Sequence, residues 1–297
     1  MSFRELFTSP AGRFLASERG LDEAEWVFLG VPLDVSSTFR HGSRWGPSAI
    51  REASVGLEVR SLLTGSRLSS LAVCDIGDLH VSPDISSTLE KLRAVVRELA
   101  GMGKKVAVAG GEHTITLGLV SGLMDALGTP KALIFDAHLD LRDEFQGLRL
   151  CHATVGRRLY ELLGPDRIAF LGVRACSDEG TRLAEEEGIL VIDARTMAKE
   201  GASGVVASLK PVLELEGPLH LSIDLDVLDP AFAPAVQTPE PFGLSPWELL
   251  AILTEVCRWG PASFDLVELA PVYDRGQTAL LAARIMAEVM WAGSRQA

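Results

Sequence analysis

Two apolar runs of this 297-residue sequence are each followed by closely spaced aspartates, and the first also by a histidine. Asp136, His138 and Asp140 alternate after the first run, so an extended chain turns all three side chains to one side. Asp224 and Asp226 repeat this spacing after the second run. Four aspartates in one crevice would repel one another strongly unless cations neutralised them. The pattern therefore predicts a site for metal ions.

A third apolar run is followed by the segment GGEHT, in which His113 is the candidate ligand. A carboxylate-rich site with two imidazoles suits Mn²⁺ better than a thiolate-rich zinc site would. Two cations that share carboxylates can lie about 3.5–4 Å apart and activate one bridging water. The predicted metal ligands are His113, Asp136, His138, Asp140, Asp224 and Asp226.

The secondary structure that positions these residues can be predicted from the apolar pattern. Short apolar runs alternate with amphipathic stretches along the chain. Strands are expected at 26–31, 71–76, 106–109, 132–136, 168–173, 190–192, 219–224 and 263–269. Helices are expected at 88–100, 245–258 and 277–291. The alternation predicts a three-layer α/β/α fold with a mainly parallel sheet of about eight strands. Ligands collect outside the carboxyl ends of such strands, which is where the candidate residues fall.

Composition and charge disfavour several classes of protein. With 40 acidic and 28 basic residues the net charge is −12, so the chain lacks the basic footprint of a nucleic-acid binder. The sequence has no apolar stretch long enough for a membrane span and no signal-peptide pattern at the N-terminus. Its four scattered cysteines do not indicate a disulfide framework or a zinc knuckle. We therefore expect a cytoplasmic protein with no nucleic-acid or membrane partner.

With these motifs the sequence resembles the ureohydrolase family, which includes arginases, agmatinases and guanidino-acid hydrolases. The family signatures read GGEHT at 110–114, DAHLD at 136–140 and SIDLDVLDP at 222–230. The likeness covers nearly the whole chain, from an arginine- and glycine-rich loop at 40–51 to the segment 265–271. It implies a single ureohydrolase domain over 1–297 with an arginase-like fold and an N-terminal extension at 1–25.

The resemblance also implies two Mn²⁺ ions per subunit. One ion would take His113, Asp136, Asp140 and Asp224, and the other would take Asp136, His138, Asp224 and Asp226. His152 matches the family's proton-shuttle histidine, and Glu268 matches the acid that holds the substrate guanidinium. The expected catalytic residues are His152, Glu268 and Asp140. Because ureohydrolases are commonly trimers or hexamers, a homo-oligomer is expected as well.

The physical chemistry of the residues agrees with this assignment. Together with Glu268 the occupied site would be net negative, so it should attract a guanidinium and place its carbon over the activated water. His152, if it is mobile and partly exposed, could give the departing amine its proton. The alternative for His152 is that it only begins a helix at 152–163. The products would be urea and an alkylamine.

The sequence does not decide which group the guanidino substrate carries at its far end, here called its tail. The loop at 141–150 looks more like that of agmatinases than that of arginases, whose loop carries Asn. Asp143 and Glu144 could meet the distal ammonium of agmatine or an aminopropyl derivative, whereas Arg142 and Arg149 could hold a distal carboxylate. Hydrolysis of agmatine to putrescine is the expected activity. Guanidino-acid hydrolase (for example on 4-guanidinobutyrate), aminopropylagmatine ureohydrolase and arginase are the alternatives.

Two further hypotheses belong to other classes. A deacetylase-type amidohydrolase has one zinc ion and needs no counterpart of His113 or Asp140. A catalytically silent polyamine-binding scaffold would be expected to lack a metal ligand or Glu268, and neither is missing. Gln237 stands where the family usually has Gly before a TPEP segment, so we expect it to change a wall of the pocket and the tail that fits.

Overall fold

The computed structural model of the protein describes residues 2–17 and 19–294. In this part of the chain, nine strands form one sheet: β1 Thr8–Ser9, β2 Trp26–Val31, β3 Val73–Leu79, β4 Lys105–Gly110, β5 Lys131–Phe135, β6 Ile168–Val173, β7 Leu190–Asp193, β8 Leu219–Asp224 and β9 Ser263–Val267. The spatial order is β1-β3-β2-β4-β9-β8-β5-β6-β7. All pairings are parallel except that of β1 with β3, which confirms the mainly parallel sheet.

Helices pack against this sheet. Those of the described residues are α1 Phe3–Phe7, α2 Gly46–Ser54, α3 Ile85–Gly101, α4 Ile115–Leu127, α5 Val155–Leu163, α6 Asp178–Glu187, α7 Ala194–Leu213, α8 Pro246–Cys257 and α9 Gln277–Gly293. The start of α8 follows from its sequence, because Ser245 and Glu248 form a reciprocal capping box around Pro246 at the first position. No helix of the described residues combines the length and apolarity needed to cross a membrane.

The helices cover both faces of the sheet and so give three layers. On one face Phe28, Phe135 and Phe264 pack with α2, α7, α8 and α9. On the other face Val27 and Val106 pack with α3 and α4, while β5 and β6 pack with α5. Strands that are buried on both faces read as continuous apolar runs, which is why the sequence predicted most of them.

The observed elements differ from the prediction at a few boundaries. The strand expected at 71–76 lies at 73–79, and the last strand ends at Val267, so Glu268 follows the strand. The helix expected at 152–163 begins with a 3₁₀ turn at His152–Thr154, which continues into α5. β1 was not predicted from the sequence, because a strand of two residues is too short to show periodicity.

The N-terminal residues pack against an edge of the sheet. Between residues 2 and 17, β1 pairs antiparallel with β3, and Phe14 is fully buried in the core. Met1 and Glu18, which belong to the predicted extension at 1–25, lie outside the described residues.

The order of the central strands determines where the functional residues meet. β5 follows β4 in sequence, yet β9 and β8 lie between them in the sheet. The carboxyl ends of these four parallel strands therefore meet at one edge of the sheet. At this point the order of the strands in the sheet departs from their order in the sequence. Ligands of open α/β folds bind at such a position.

Candidate active site

These four strands bring the predicted metal ligands and Glu268 to one crevice. His113 lies in the loop between β4 and α4, and Asp136 directly follows β5. Asp224 is the last residue of β8, and Glu268 directly follows β9. The rule that placed these residues at strand ends in the sequence also brings them together in space.

The Nδ1 atom of His113 faces three carboxylates. It lies 3.0 Å from Asp136 Oδ2, 3.4 Å from Asp140 Oδ2 and 3.4 Å from Asp224 Oδ2. This nitrogen is buried and has no hydrogen bond of good geometry to any described residue, while Nε2 of the same ring lies 3.0 Å from Ser222 Oγ. A buried polar atom without a partner needs an explanation. One oriented imidazole nitrogen that converges with three carboxylate oxygens fits a divalent cation.

A second cluster shares Asp136 with the first. His138 Nδ1 lies 3.3 Å from Asp136 Oδ1 and 3.0 Å from Asp226 Oδ2. The candidate ligand atoms lie within 4.8 Å of one another in each of two groups, which are His113, Asp136 and Asp140, and Asp136, His138 and Asp226. Asp136 turns Oδ2 to the first group and Oδ1 to the second. It is therefore placed to bridge two cations.

Backbone N–H groups fix the orientation of these carboxylates. Asp136 Oδ1 accepts the N–H of His138 at 2.6 Å, and Asp224 Oδ1 accepts the N–H of Asp226 at 2.8 Å. Asp226 Oδ1 accepts the N–H of Ala137 at 3.0 Å, which ties the two loops together. The spacing of two residues in both motifs therefore has two effects. It presents two side chains on one face, and it brings the N–H of the later residue to the carboxylate of the earlier one.

The charges of this crevice are poorly balanced without cations. Burial, together with the charge of Asp136, raises the pKa of Asp140. Burial, with the nearby charges of Asp226 and Asp136, raises the pKa of Asp224. Burial would lower the pKa of His113, but the surrounding carboxylates outweigh it and raise the pKa. The cluster therefore takes up protons that divalent cations would displace.

Glu268 reaches into the same crevice from β9. Its Oε1 accepts the backbone N–H of His113 at 2.5 Å, whereas Oε2 is buried and has no hydrogen-bond partner among the described residues. Burial raises the pKa of this carboxyl group. Glu268 has φ 67° and Asp140 has φ 49°. Such left-handed backbone costs about 1–3 kcal/mol at a residue other than Gly, and here it accompanies the placement of two acids in the crevice.

A cavity of about 290 Å³ opens above these groups. Beyond the acidic floor its lining includes Thr38, Leu141, Arg142, Phe145, His152, Ala175, Cys176, Ser177, Thr238 and Glu240. His152 is 9% exposed, so its side chain is more buried than the sequence analysis expected of a shuttle. Its ring stands edge-on to Phe145, and the ring centroids are 6.0 Å apart.

Comparisons with known proteins agree with this geometry. A family model described as the Arginase family matches residues 24–292. The chain belongs to the arginase family. An agmatinase of Bacillus subtilis (strain 168) is 34% identical over 296 residues, which cover 98% of this chain and 98% of that protein. The guanidinobutyrase of Pseudomonas aeruginosa is 33% identical over 279 residues, with 91% and 86% covered.

A solved structure of this family confirms the fold and the class of enzyme. The agmatine ureohydrolase of Thermoplasma volcanium superposes with a TM-score of 0.86 at 32% identity, and the match covers 98% of this chain and 96% of that one. The three-layer architecture is thus that of arginase-like proteins. As a member of the arginase family, this protein is a hydrolase that acts on C–N bonds of guanidino compounds.

Neither acid that was predicted to meet the substrate tail lies in the cavity. The Asp143 carboxylate pairs with Arg149 at 2.9 Å and Arg158 at 2.6 Å. Glu144 is exposed and is not part of the cavity lining. Of the charged residues in this loop, Arg142 alone lines the cavity, and its guanidinium stacks over Phe145 at 5.3 Å from the ring centroid. Spacing along a loop could not predict which side chains turn inward.

Gln237 also lies outside the cavity lining. Its side chain is 1% exposed, and both of its amide atoms are without partners among the described residues. The neighbouring Thr238 and Glu240 line the wall instead. Thr238 Oγ1 donates a hydrogen bond to Asp226 Oδ2 at 3.2 Å, and Glu240 Oε1 lies 3.8 Å from His138 Nε2. Gln237 therefore supports the wall from behind rather than forming its surface.

A group of residues that was not predicted from the sequence lies behind His152. Ser36 and Thr38 follow β2, so the strand-end rule that gave the candidate metal ligands could have indicated them. Their hydroxyl groups lie 3.2 Å from Nδ1 and 3.4 Å from Nε2 of His152. Glu112, the acid of the GGEHT segment, accepts a hydrogen bond from Ser36 Oγ at 2.7 Å. Hydroxyl groups give no ligand-type pattern in a sequence, which is why this group was not noticed.

Proposed function

We propose that this protein hydrolyses agmatine to putrescine and urea with two Mn²⁺ ions per subunit. The observation that carries the proposal is the position of Asp136, which faces both imidazoles of the crevice with separate carboxylate oxygens. This arrangement lies on the floor of a cavity that also contains Glu268 and His152. Identity to agmatinases supports the choice of substrate.

The residues that would hold the ions are the six predicted metal ligands. His113, Asp136, Asp140 and Asp224 would form one set, and Asp136, His138, Asp224 and Asp226 the other. Imidazole nitrogen and carboxylate oxygen without thiolate form a donor set that suits Mn²⁺. When bound, the two ions supply an activated water that acts as the nucleophile near neutral pH.

Glu268 is proposed to bind the guanidinium of the substrate. Its Oε2 is buried and lacks a hydrogen-bond partner among the described residues, so it can accept an N–H of a planar cation. Its Oε1 is occupied by the backbone N–H of His113, which fixes the carboxylate at the edge of the crevice. Binding of a cation at this point places the guanidino carbon next to the metal ligands.

His152 is proposed to give a proton to the departing amine. In the overall reaction, the oxygen of water becomes the carbonyl oxygen of urea while the bond from the guanidino carbon to the alkyl-bearing nitrogen breaks. That nitrogen must gain a proton to leave as an amine. The His152 ring lines the cavity beside Thr38, and an imidazole nitrogen can donate or accept the proton in such a transfer.

A second candidate substrate is a guanidino acid such as 4-guanidinobutyrate. Arg142 favours it, because this residue lines the cavity, its guanidinium stacks over the ring of Phe145, and it makes no ion pair with any described acid. The similar identity to a guanidinobutyrase agrees with this alternative. Aminopropylagmatine and arginine are further alternatives, and they differ from agmatine only in the tail.

Urea release after loading with Mn²⁺ tests the proposal. Agmatine, arginine, 4-guanidinobutyrate and aminopropylagmatine would each be assayed at matched concentrations, with metal content measured in the same samples. A kcat/KM that is highest for agmatine is the expected result. A preference for 4-guanidinobutyrate would keep the mechanism but replace the substrate. No urea from any of these compounds, with two ions bound, would overturn the proposed function.

We further propose that the enzyme is a cytoplasmic homo-oligomer, either a trimer or a hexamer. The resemblance to ureohydrolases supports the oligomer. Light scattering of the Mn²⁺-loaded protein during gel filtration tests it, and a mass equal to one chain of 31.9 kDa would contradict it.

A further inference from the structure

A fully buried carboxylate lies behind the cavity. The side chain of Glu112 accepts hydrogen bonds from four donors. Oε2 accepts the backbone N–H groups of Val35 at 2.6 Å and Ser36 at 2.7 Å. Oε1 accepts the hydroxyl groups of Ser36 and Thr114, each at 2.7 Å. Glu112 itself is not in the cavity lining, so its contacts show a supporting role rather than contact with substrate.

The Ser36 hydroxyl connects this carboxylate to His152. Its oxygen accepts the backbone N–H of His152 at 3.1 Å and lies 3.2 Å from the Nδ1 atom of the same residue. One hydroxyl therefore joins the loop after β2, the loop after β4, and the turn that leads into α5. Ser36 is 5% exposed, so water does not compete freely for these bonds.

The direction of these bonds follows from the number of protons. A serine hydroxyl has one proton to donate and two lone pairs that can accept. The bond to the Glu112 carboxylate is the shorter, at 2.7 Å against 3.2 Å for the imidazole, and hydrogen bonds to an ionised acceptor are the stronger ones. The Ser36 proton is therefore on the Glu112 side. The oxygen can only accept from His152, so Nδ1 must carry a proton.

We propose that Glu112 and Ser36 are positioning residues that hold His152 as the Nδ1–H tautomer and so make Nε2 the nitrogen that transfers the proton in the cavity. The inference rests on the proposed function, in which His152 protonates the departing amine. Neutral His152 then presents a lone pair at Nε2, beside the Thr38 hydroxyl at 3.4 Å. The protonated ring donates from Nε2, while Nδ1–H stays bonded to Ser36.

The arrangement also limits rotation of the ring. A flip by 180° about the bond from Cβ to the ring would move Nδ1 away from Ser36 and lose its hydrogen bond. The edge-on contact with Phe145, 6.0 Å between centroids, restricts the ring from the other side. A transferable proton in a fixed position is what general acid catalysis requires, and such catalysis contributes about 10²–10⁴-fold to rate.

A double-mutant cycle tests whether Ser36 acts through His152. In the Mn²⁺-loaded enzyme we expect Ser36→Ala to lower kcat for agmatine by about 10- to 100-fold, within the range of general acid catalysis, while KM changes less than about threefold. In a His152→Ala background the same substitution should lower kcat by less than about twofold, since coupled residues are not additive. Equal losses in both backgrounds would overturn the proposal.

Two further variants control for damage to the loop. Ser37→Ala removes the adjacent buried hydroxyl, which donates to Asp34 Oδ1 at 2.6 Å, and it should leave kcat unchanged within about twofold. Ser36→Thr retains the hydroxyl and should recover most of the lost rate. Failure of Ser36→Thr to recover activity, in a variant that melts at the wild-type temperature, would count against the proposal.

A spectroscopic measurement tests the tautomer without any assay of activity. Long-range ¹H–¹⁵N spectra would be recorded on protein labelled at histidine nitrogen and loaded with diamagnetic Zn²⁺, with His152 assigned by its absence from His152→Ala. We expect a protonated Nδ1 in the wild type and a shift towards the Nε2–H form in Ser36→Ala. A wild-type Nε2–H tautomer would overturn the inference. Absence of urea release in the wild type would instead refute the proposed function, and the spectra would still report the tautomer.

Discussion

The carboxylate of Glu268 accepts the backbone N–H of His113 at 2.5 Å and thereby ties the end of β9 to the loop after β4. Only Oε2 is left for a ligand. In Glu268→Gln the amide oxygen can still accept this N–H, but the negative charge is gone. We expect kcat/KM for agmatine to fall by about 10²- to 10³-fold, because truncating a buried charge pair costs about 2–5 kcal/mol.

The metal content of the same variant separates substrate binding from metal binding. Glu268→Gln should bind as many Mn²⁺ ions per chain as the wild type, as measured by mass spectrometry of the metal after gel filtration. Its urea release would be measured in parallel over a range of agmatine concentrations. A variant that had lost its metal would show that Glu268 belongs to the metal site rather than to the guanidinium site.

Asp136 is the residue shared by both clusters, so its charge should matter for both ions. Asp136→Asn replaces the bridging carboxylate with a neutral amide, and we expect bound Mn²⁺ to fall from two ions to fewer than one per chain. Removing even the outer partners of a ligand typically costs about 10- to 100-fold in metal affinity. Equilibrium dialysis measures the loss.

The matched control for this variant is Asp143→Asn, which makes the same chemical change outside the cavity. Its carboxylate pairs with Arg149 and Arg158 and is partly exposed, so metal binding should not change. If Asp136→Asn still held two ions tightly, the assignment of a shared ligand would be wrong.

Metal binding should strengthen as the pH rises, because the ions replace protons. The pKa values of the proposed ligands Asp140 and Asp224 are raised above their ordinary 3.8, chiefly by burial. Carboxylates that must lose a proton to bind an ion release it to the solvent. Each released proton makes the affinity for the ion rise about tenfold per pH unit. Titration calorimetry in buffers of different ionisation enthalpy counts the protons.

The stability of the metal-free protein should change in the opposite direction. A group whose pKa is raised by folding stabilises the fold at low pH, and that stability is lost as pH rises through the raised value. The groups whose pKa is raised in this way are the carboxyls of Asp140, Asp224 and Glu268 and the imidazoles of His113 and His138. The Tm of the metal-free protein should therefore fall as the pH rises above the ordinary imidazole pKa of 6.5, and the gain in Tm on adding Mn²⁺ should grow. If the increase in Tm on adding Mn²⁺ became smaller as the pH rose, the prediction would be contradicted.

The sequence predicted most of the central strands and the meeting of the candidate metal ligands at one sheet edge, for a physical reason. Strands covered on both faces are continuous apolar runs, and the ends of parallel strands share one edge, so Asp136 and Asp224 could be placed together without coordinates. The roles of Asp143 and Glu144 could not be predicted in this way. Their loop has no regular periodicity, and the contacts of Asp143 with Arg149 and Arg158 depend on tertiary packing.

The buried network behind the cavity was beyond sequence reasoning for a different reason. Glu112 stands next to His113 in the same motif, yet it faces the loop after β2 and does not line the cavity with its neighbour. Its partner Ser36 is 76 residues away in sequence. Polar contacts over such separations depend on how loops cross at a sheet edge, which local patterns do not encode.

Arg142 lines the cavity, so its positive charge should affect which substrate tail is bound. A guanidinium in the cavity attracts a carboxylate tail and repels an ammonium tail. In Arg142→Ala we expect the ratio of kcat/KM for agmatine to that for 4-guanidinobutyrate to rise about tenfold, which corresponds to about 1.4 kcal/mol. Initial rates of urea release with both substrates give this ratio. Arg149→Ala is the matched control from the same loop, since Arg149 is exposed, pairs with Asp143 and lies outside the cavity lining. If kcat/KM changed equally for both substrates in Arg142→Ala, Arg142 would shape the cavity without distinguishing the charge of the substrate tail.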